Sequence, residues 1–284
     1  MQNILVPFDF SAYSEFALDF AYDFALDTKG HIKLFHVVSH SAYAGVSAAG
    51  EMPGLINYEQ EFITDLVKRS NEKLQAIVAL DKFKKISIDF EVKVGAPFNN
   101  IIDEITNFEA DLIIMGTKGA SGLEEFFIGS NAEKVVRFAK CPVITIPNKI
   151  DFHQIKNIAF AINFEQEQKY VAALLKSYQK IFSAKLHLVW IDTLHVIDNE
   201  EVIEERLENF ITENEIKNCD THSVRAITPE HGILNFISEN EIDMVAMATH
   251  GFKGLTHLFL GSIAEDIVNH SKMPVWTFSL KGIN

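Results

Sequence analysis

Cysteine is nearly absent from this sequence: 284 residues contain two, Cys141 and Cys219, with no CxxC spacing. That scarcity argues against a disulfide framework and against a structural zinc site built on paired thiolates. Long apolar runs are missing too, since no uncharged stretch approaches the roughly 18 to 20 residues of a membrane span. The start, Met1-Gln2-Asn3-Ile4-Leu5-Val6-Pro7-Phe8-Asp9, lacks the basic residues, long apolar core and small-residue cleavage site of a signal peptide, and reads as a first strand. Basic charge is also short: 25 Lys and Arg face 39 Asp and Glu, a formal net charge of −14. Residues 1–149 hold 14 basic and 20 acidic residues, and the remainder 11 and 19, so neither half offers the basic face that nucleic acid requires. The expectation is a soluble cytoplasmic protein without a membrane or nucleic-acid partner. Absent, finally, are a GxxxxGK[ST] loop and an activated nucleophile beside a base, so no catalytic residue is assigned.

What is present is an ordinary globular composition, 48% apolar and 23% charged, in a chain long enough for two domains. The most informative stretch is Gly116 to Ser130, Gly-Thr-Lys-Gly-Ala-Ser-Gly-Leu-Glu-Glu-Phe-Phe-Ile-Gly-Ser. It follows an apolar strand pattern, Leu112 to Met115, and precedes a helix pattern from Asn131 to Lys140. A helix start presents unpaired amide donors and a positive dipole end, which suits an anion such as phosphate. Lys118 is a candidate phosphate partner or a plain surface lysine, Ser130 a candidate helix cap, and Glu124 and Glu125 are expected to face water.

Around this loop the chain alternates strand and helix. Ile4–Phe8 reads as a strand, and Ser11 caps a helix whose Phe16, Phe20 and Phe24 form a core stripe and which Gly30 closes. Ile32–Val38 follows as a strand, then a Ser/Ala/Gly-rich loop over Ser39–Asn57 and a long helix over Tyr58–Leu80. Ile86–Val94 alternates as a strand, Pro97 opens a helix, Asp111–Met115 is a fourth strand and Pro142–Ile146 a fifth. This order predicts an α/β fold with a parallel sheet covered by helices on both faces, and ligands at the carboxyl ends of the strands. Asp9 and Gly116 both fall at such ends.

The second half repeats the first. Pro97, Asp111, Gly119, Gly129-Ser130 and Pro142 recur 132 residues later as Pro229, Asp243, Gly251, Gly261-Ser262 and Pro274. Earlier elements recur at an offset of 154, with Asp9 matching Asn163 and His36-Val37 matching Trp190-Ile191. The net loss of 22 residues is ascribed to the Ser/Ala/Gly loop and part of the helix after it. Two domains are expected, 1–149 and 152–284, joined by a short polar link.

Together, Gly116-x2-Gly119-x9-Gly129-Ser130, Val6-Pro7-Phe8-Asp9-Phe10-Ser11, His36-Val37, Val94-Gly95-x-Pro97 and Cys141-Pro142-Val143 resemble the universal stress protein family, as two tandem copies. The resemblance implies two flavodoxin-type, Rossmann-like domains, each a five-stranded parallel sheet of order 3-2-1-4-5, paired through their last strands as an internal pseudo-dimer. It leaves a further homodimer open. It also implies binding of ATP or a related adenine nucleotide, with or without Mg, by a stress-response sensor or regulator; slow hydrolysis or self-phosphorylation occurs in some members. Carried over position by position, Asp9 lies near the ribose or adenine edge, and Pro7, Val37 and Met115 surround the base. Gly116, Gly119, Gly129, Ser130 and Asn131 wrap ribose and phosphates. These chemical types suit the roles: a carboxylate accepts from hydroxyl or amino groups, apolar side chains flank a ring, and glycines admit phosphate to backbone amides.

The second copy departs from the pattern. Ala248 replaces the first glycine, Asn163 the aspartate and Glu165 the serine, and Ile227 stands where Gly95 is expected, while Gly251, Gly261 and Ser262 remain. Its base-binding half is therefore expected to be lost, although His250, Lys253 and His257 make its loop more cationic. Two other functions stay open: a nucleotide-free module that binds a partner protein through Ser39–Asn57 and its acidic surface, and a carrier of another small ligand or a metal in the second pocket. The clusters His31, His36, His40 and His250, His257 have no recognised metal spacing, so no metal ligand is assigned. Cys141 reads as a buried filler.

Overall fold

The computed structural model describes residues 2–39, 55–119, 128–164, 168–193, 199–249 and 262–280. Ten strands form one continuous sheet. In chain order they are β1 (Asn3–Pro7), β2 (His31–Val38), β3 (Ser87–Val94), β4 (Leu112–Gly116), β5 (Val143–Ile146), β6 (Asn157–Ile162), β7 (Lys185–Thr193), β8 (Cys219–Ala226), β9 (Met244–Thr249) and β10 (Val275–Ser279). Eight α-helices are described: α1 (Ala12–Thr28), α2 (Leu55–Val78), α3 (Pro97–Asn107), α4 (Ser130–Phe138), α5 (Gln168–Phe182), α6 (Glu200–Glu213), α7 (Pro229–Glu239) and α8 (Ser262–His270).

The strand order across the sheet is β3-β2-β1-β4-β5-β10-β9-β6-β7-β8, so each half has the expected 3-2-1-4-5 order. All neighbours are parallel except the central pair, where β10 meets β5 antiparallel with Trp276 opposite Ile144. That pairing closes what would otherwise be two apolar edge strands, a recognised aggregation hazard. It also makes the two faces of the sheet continuous across the halves. One core gathers side chains of α1, α5 and α6, with Leu74 of α2, against the sheet. The other gathers those of α3, α4, α7 and α8.

Phe20 and Phe24 of α1 are buried as the four-residue spacing predicts, and both pack edge-on against Phe152. Phe16 lies only partly buried beside Tyr13. Phe152 also packs on Phe182 of α5, and Phe24 on Tyr178, so α1 and α5 meet through aromatic rings. Phe152 and Ile155, which open the second half, are both buried. Each fully buried side chain of this size stabilises the fold by about 1.5–3 kcal/mol.

Local expectations hold with small corrections. Ser11 caps α1, accepting from the Ser14 amide. The left-handed residue ending α1 is Lys29, φ 54, and not Gly30, which follows it. Pro97 occupies the first turn of α3. The cap of α4 is Gly129, with no side-chain hydrogen bond, and Ser130 is the first helical residue instead of the cap. The repeat offset also needs one change. Lys33 pairs with Asp89, whereas His187, 154 residues after Lys33, pairs with Asp220, 131 after Asp89. The extra residue sits between β8 and α7, so strand register sets Ala226, and not Ile227, opposite Gly95. Helix shortening accounts for part of the lost length, α6 having 14 residues and α2 having 24.

Candidate functional site

At the carboxyl ends of β1 and β4 the first half encloses a cleft of about 230 Å³. Its lining contains Pro7, Asp9, Val37, Met115, Gly116, Gly119, Gly129, Ser130 and Asn131, every position singled out from sequence. Parallel pairing explains the convergence: β1 lies between β2 and β4, which brings Asp9, Val37 and Met115 to one end of the sheet. The start of α4 then faces the same space with the amide ends of its first turn.

Asp9 is held in place from behind. Its Oδ1 accepts from the Ser11 amide at 3.0 Å and from the Ser11 hydroxyl at 2.6 Å. A side chain at Gly119 would put its Cβ 3.0 Å from Asp9 Oδ2, so this glycine sits directly against the carboxylate. Gly129 closes the other end of the loop by donating its amide to the Thr117 carbonyl at 2.7 Å. Gly116 has a different task. A Cβ there would meet backbone and Cβ atoms of Tyr13 at 2.7 Å, so this glycine lets α1 approach the end of β4. Its replacement by Ala248 is therefore first a matter of helix–strand packing.

His36 lines the cleft too, a residue the sequence-based site omitted. Its Nδ1–H donates to the Phe8 carbonyl at 2.7 Å, and the Phe10 ring lies against it with centroids 4.7 Å apart. Burial lowers its pKa from the ordinary imidazole value, against the pull of the Phe8 carbonyl and Asp9, which favours the neutral ring. Its signal in the sequence was its place immediately before Val37. Thr117, Lys118 and Pro97 complete the rim. Lys118 Nζ stands 5.8 Å from the Tyr13 ring centroid.

The second half contributes to this site from outside. The Ile128 amide, just before Gly129, donates to Asn269 Oδ1 of α8 at 2.6 Å. Domain 2 therefore ties down the strand of chain that delivers Gly129 to the cleft. In its own equivalent position, Trp190 replaces His36 and stacks on Phe164 with centroids 4.7 Å apart. Phe10 and Phe164 share a left-handed backbone, φ 63 and 59, so the turn after β1 is repeated although the ring beside it has changed.

Several expected features lie outside the described residues: most of Ser39–Asn57, Glu124 and Glu125, Glu165, His250, Gly251, Lys253, His257 and Gly261. Cys141 is buried as expected, and burial pushes its thiol up to about 12, which keeps it protonated and unreactive. Among the described residues no helix is long and apolar enough to cross a membrane.

Comparison with known proteins agrees with the doubled topology. The model of the universal stress protein family matches residues 1–147 and again 155–279. A universal stress protein of Synechocystis is 23% identical over 294 residues, covering 98% of this chain and all of that protein. One from Methanocaldococcus jannaschii is 32% identical over 151 residues, covering 51% of this chain and 81% of the relative. The crystal structure of a universal stress protein from Archaeoglobus fulgidus superposes with a TM-score of 0.73 at 20% identity over 98% of both chains, a likeness of fold. Two family matches in one chain, on two halves of one sheet that share a strand order and meet at their last strands, lead to one conclusion: the chain belongs to the universal stress protein family.

Proposed function

We propose that the protein binds ATP or a related adenine nucleotide in the cleft of its first domain, residues 1–149, and acts as a sensor or regulator in a stress response. The observation that carries this reading is that the nine positions the family resemblance implies line a single cleft beneath a helix start. Pro7, Val37 and Met115 provide the apolar walls for a base, Asp9 the acceptor for hydroxyl or amino groups, and Gly119, Gly129, Ser130 and Asn131 the surface for phosphates. Among the described lining residues Asp9 is the single carboxylate, so any magnesium would be held mainly through the phosphates it accompanies. The second domain, residues 152–284, serves chiefly as a built-in dimerisation partner, closing β5 and steadying the loop through Asn269.

The test is to purify the chain without added nucleotide, denature it and identify what is released by mass spectrometry, with calorimetric titration of the emptied protein. One adenine nucleotide per chain is the expected result. A clean protein that also gives no heat with ATP overturns the reading.

A further inference from the structure

At the outer edge of the second domain, far along the sheet from the β5–β10 seam, three potential metal ligands converge. His187 on β7 and Asp220 and His222 on β8 offer ligand atoms that all lie within 4.8 Å of one another. The cause is register: His187 pairs with Asp220, and His222 is two residues further along the same strand, so the three side chains share one face. His187 Nδ1 and His222 Nε2 are 3.0 Å apart. Two ligands of one tetrahedral ion at about 2.0–2.1 Å stand about 3.3 Å apart, so a small opening of this pair admits a cation.

The surroundings favour ligation. Asn157 Oδ1 accepts from His187 Nε2–H at 3.2 Å, which fixes the tautomer and leaves the Nδ1 lone pair directed at the cluster. Phe236 of α7 packs against His222 with centroids 4.7 Å apart and holds the ring in position. Burial lowers the pKa of both imidazoles from the ordinary value against the pull of Asp220, and His187 lowers that of His222 further, which favours the neutral, ligating form. Cys219 is not part of the set, because it belongs to the core on the other face of the sheet. One competitor is present: Lys185 Nζ forms an ion pair with Asp220 at 2.5 Å.

The first domain shows what the same place looks like without this chemistry. Lys33 stands at the position of His187, and Asp89 and Glu91 at those of Asp220 and His222. Buried Glu104, at the α3 position corresponding to Phe236, accepts from Lys33 at 2.8 Å and from Lys93 at 3.1 Å. There Glu91 and Glu104 are already paired with the ammonium groups of Lys33 and Lys93, and Asp89 meets His31 Nε2 at 3.1 Å. In the second domain two imidazoles replace a lysine and a glutamate, and a phenylalanine replaces the buried acid.

We infer that His187, Asp220 and His222 form a binding site for a late first-row divalent cation such as zinc, with a coordination position left for solvent or an incoming ligand. Two imidazoles and a carboxylate are the donor set that such an ion prefers over calcium or magnesium. The site lies apart from the first-domain cleft.

The test uses the full chain, free of any affinity tag and stripped with a chelator. Zinc is titrated against a competing chromophoric chelator, and cobalt(II) is followed through its visible absorption. The expected result is one equivalent per chain with a four- or five-coordinate cobalt spectrum. Affinity should fall at least tenfold in His187→Ala and in His222→Ala, and stay unchanged in His153→Ala. Lys185→Met releases Asp220 and removes the competing charge, so it should bind several-fold more tightly, an outcome that a purely structural histidine pair would not give. Absence of binding at micromolar zinc, or binding that survives both histidine substitutions, overturns the inference.

Discussion

The two domains share a strand order but differ at the outer sheet edge in how they deal with buried polarity. Beneath β2 and β3 the first domain buries a charge: Glu104, 1% exposed, is bridged by Lys33 and Lys93. Beneath β7 and β8 the second domain has Phe236 at that position and two stacked, neutral imidazoles beside it. The difference shows that a repeated backbone fixes where side chains meet without fixing the chemistry of the meeting. The cleft shows the same separation, with His36 and a polar rim in one copy and Trp190 against Phe164 in the other.

The sharpest way to break the functional half of this contrast is Gly129→Glu. A Cβ at Gly129 would make only ordinary contacts, so the chain should fold, but a carboxylate would then face the phosphates. Like charges about 4 Å apart repel by about 4 kcal/mol at the effective dielectric near a protein surface, so nucleotide affinity should fall a hundredfold or more in calorimetry. If affinity persists, the first-domain cleft is not the nucleotide site.

The next effect is on stability. Glu104→Ala strands two lysines over an apolar floor and should cost about 3 kcal/mol in denaturant unfolding, whereas Phe236→Leu should cost about 1 kcal/mol. Equal costs would mean that the charged cluster is no more demanding than the aromatic one. Gly116→Ala forces a methyl against the backbone of Tyr13 and should destabilise by about 1–3 kcal/mol, read as a lowered melting temperature even without nucleotide.

Acid should separate the two edges. The folded pKa of His187 and of His222 is lowered, mainly by burial, so the unfolded chain takes up protons first. That part of the second domain loses stability as pH falls below about 6.5. Burial alone would raise Glu104, but hydrogen bonds from Lys33 and Lys93 outweigh it and hold the carboxyl below its ordinary value. Its stabilisation is complete above that ordinary value and is lost only as pH falls through the still lower folded one. Amide exchange, corrected for intrinsic rates, should therefore show β7 and β8 losing protection at about pH 5.5 while β2 and β3 keep theirs. Simultaneous loss at both edges would erase the contrast. The smallest expected effect is that of Asn269→Ala, which should weaken nucleotide binding several-fold in calorimetry with little change in melting temperature.

How much of this was legible in the sequence depends on the distance over which each feature is built. The alternation of strand and helix and the doubling of the chain rest on local patterns, turn glycines and one repeat offset, and the strand order and the nine cleft positions on the family resemblance that those motifs carry; all of these survive without coordinates. The one-residue change of register between β3 and β8 does not, because it is set by which residues pair across strands. The task of Gly116 is visible only once α1 lies against it. His31 and His36, grouped by closeness in sequence, share no ligand cluster among the described residues. His187 and His222, 35 residues apart, become neighbours because parallel strands lie side by side. The bond from Ile128 to Asn269 spans 141 residues and crosses between domains, beyond the reach of any periodicity.

The antiparallel seam between β5 and β10 has a further consequence, which concerns symmetry. When two identical copies pair around a dyad, every substitution appears on both sides at once, and whatever helps one site must be tolerated at the other. Here the copies are joined in one chain, and the pseudo-dyad relates unlike residues: Arg137 of α4 occupies the place that Asn269 takes in α8. One copy can then specialise in supporting the other. Because the tether holds the partner at a high effective concentration, that division of labour survives dilution that would separate a pair of free subunits.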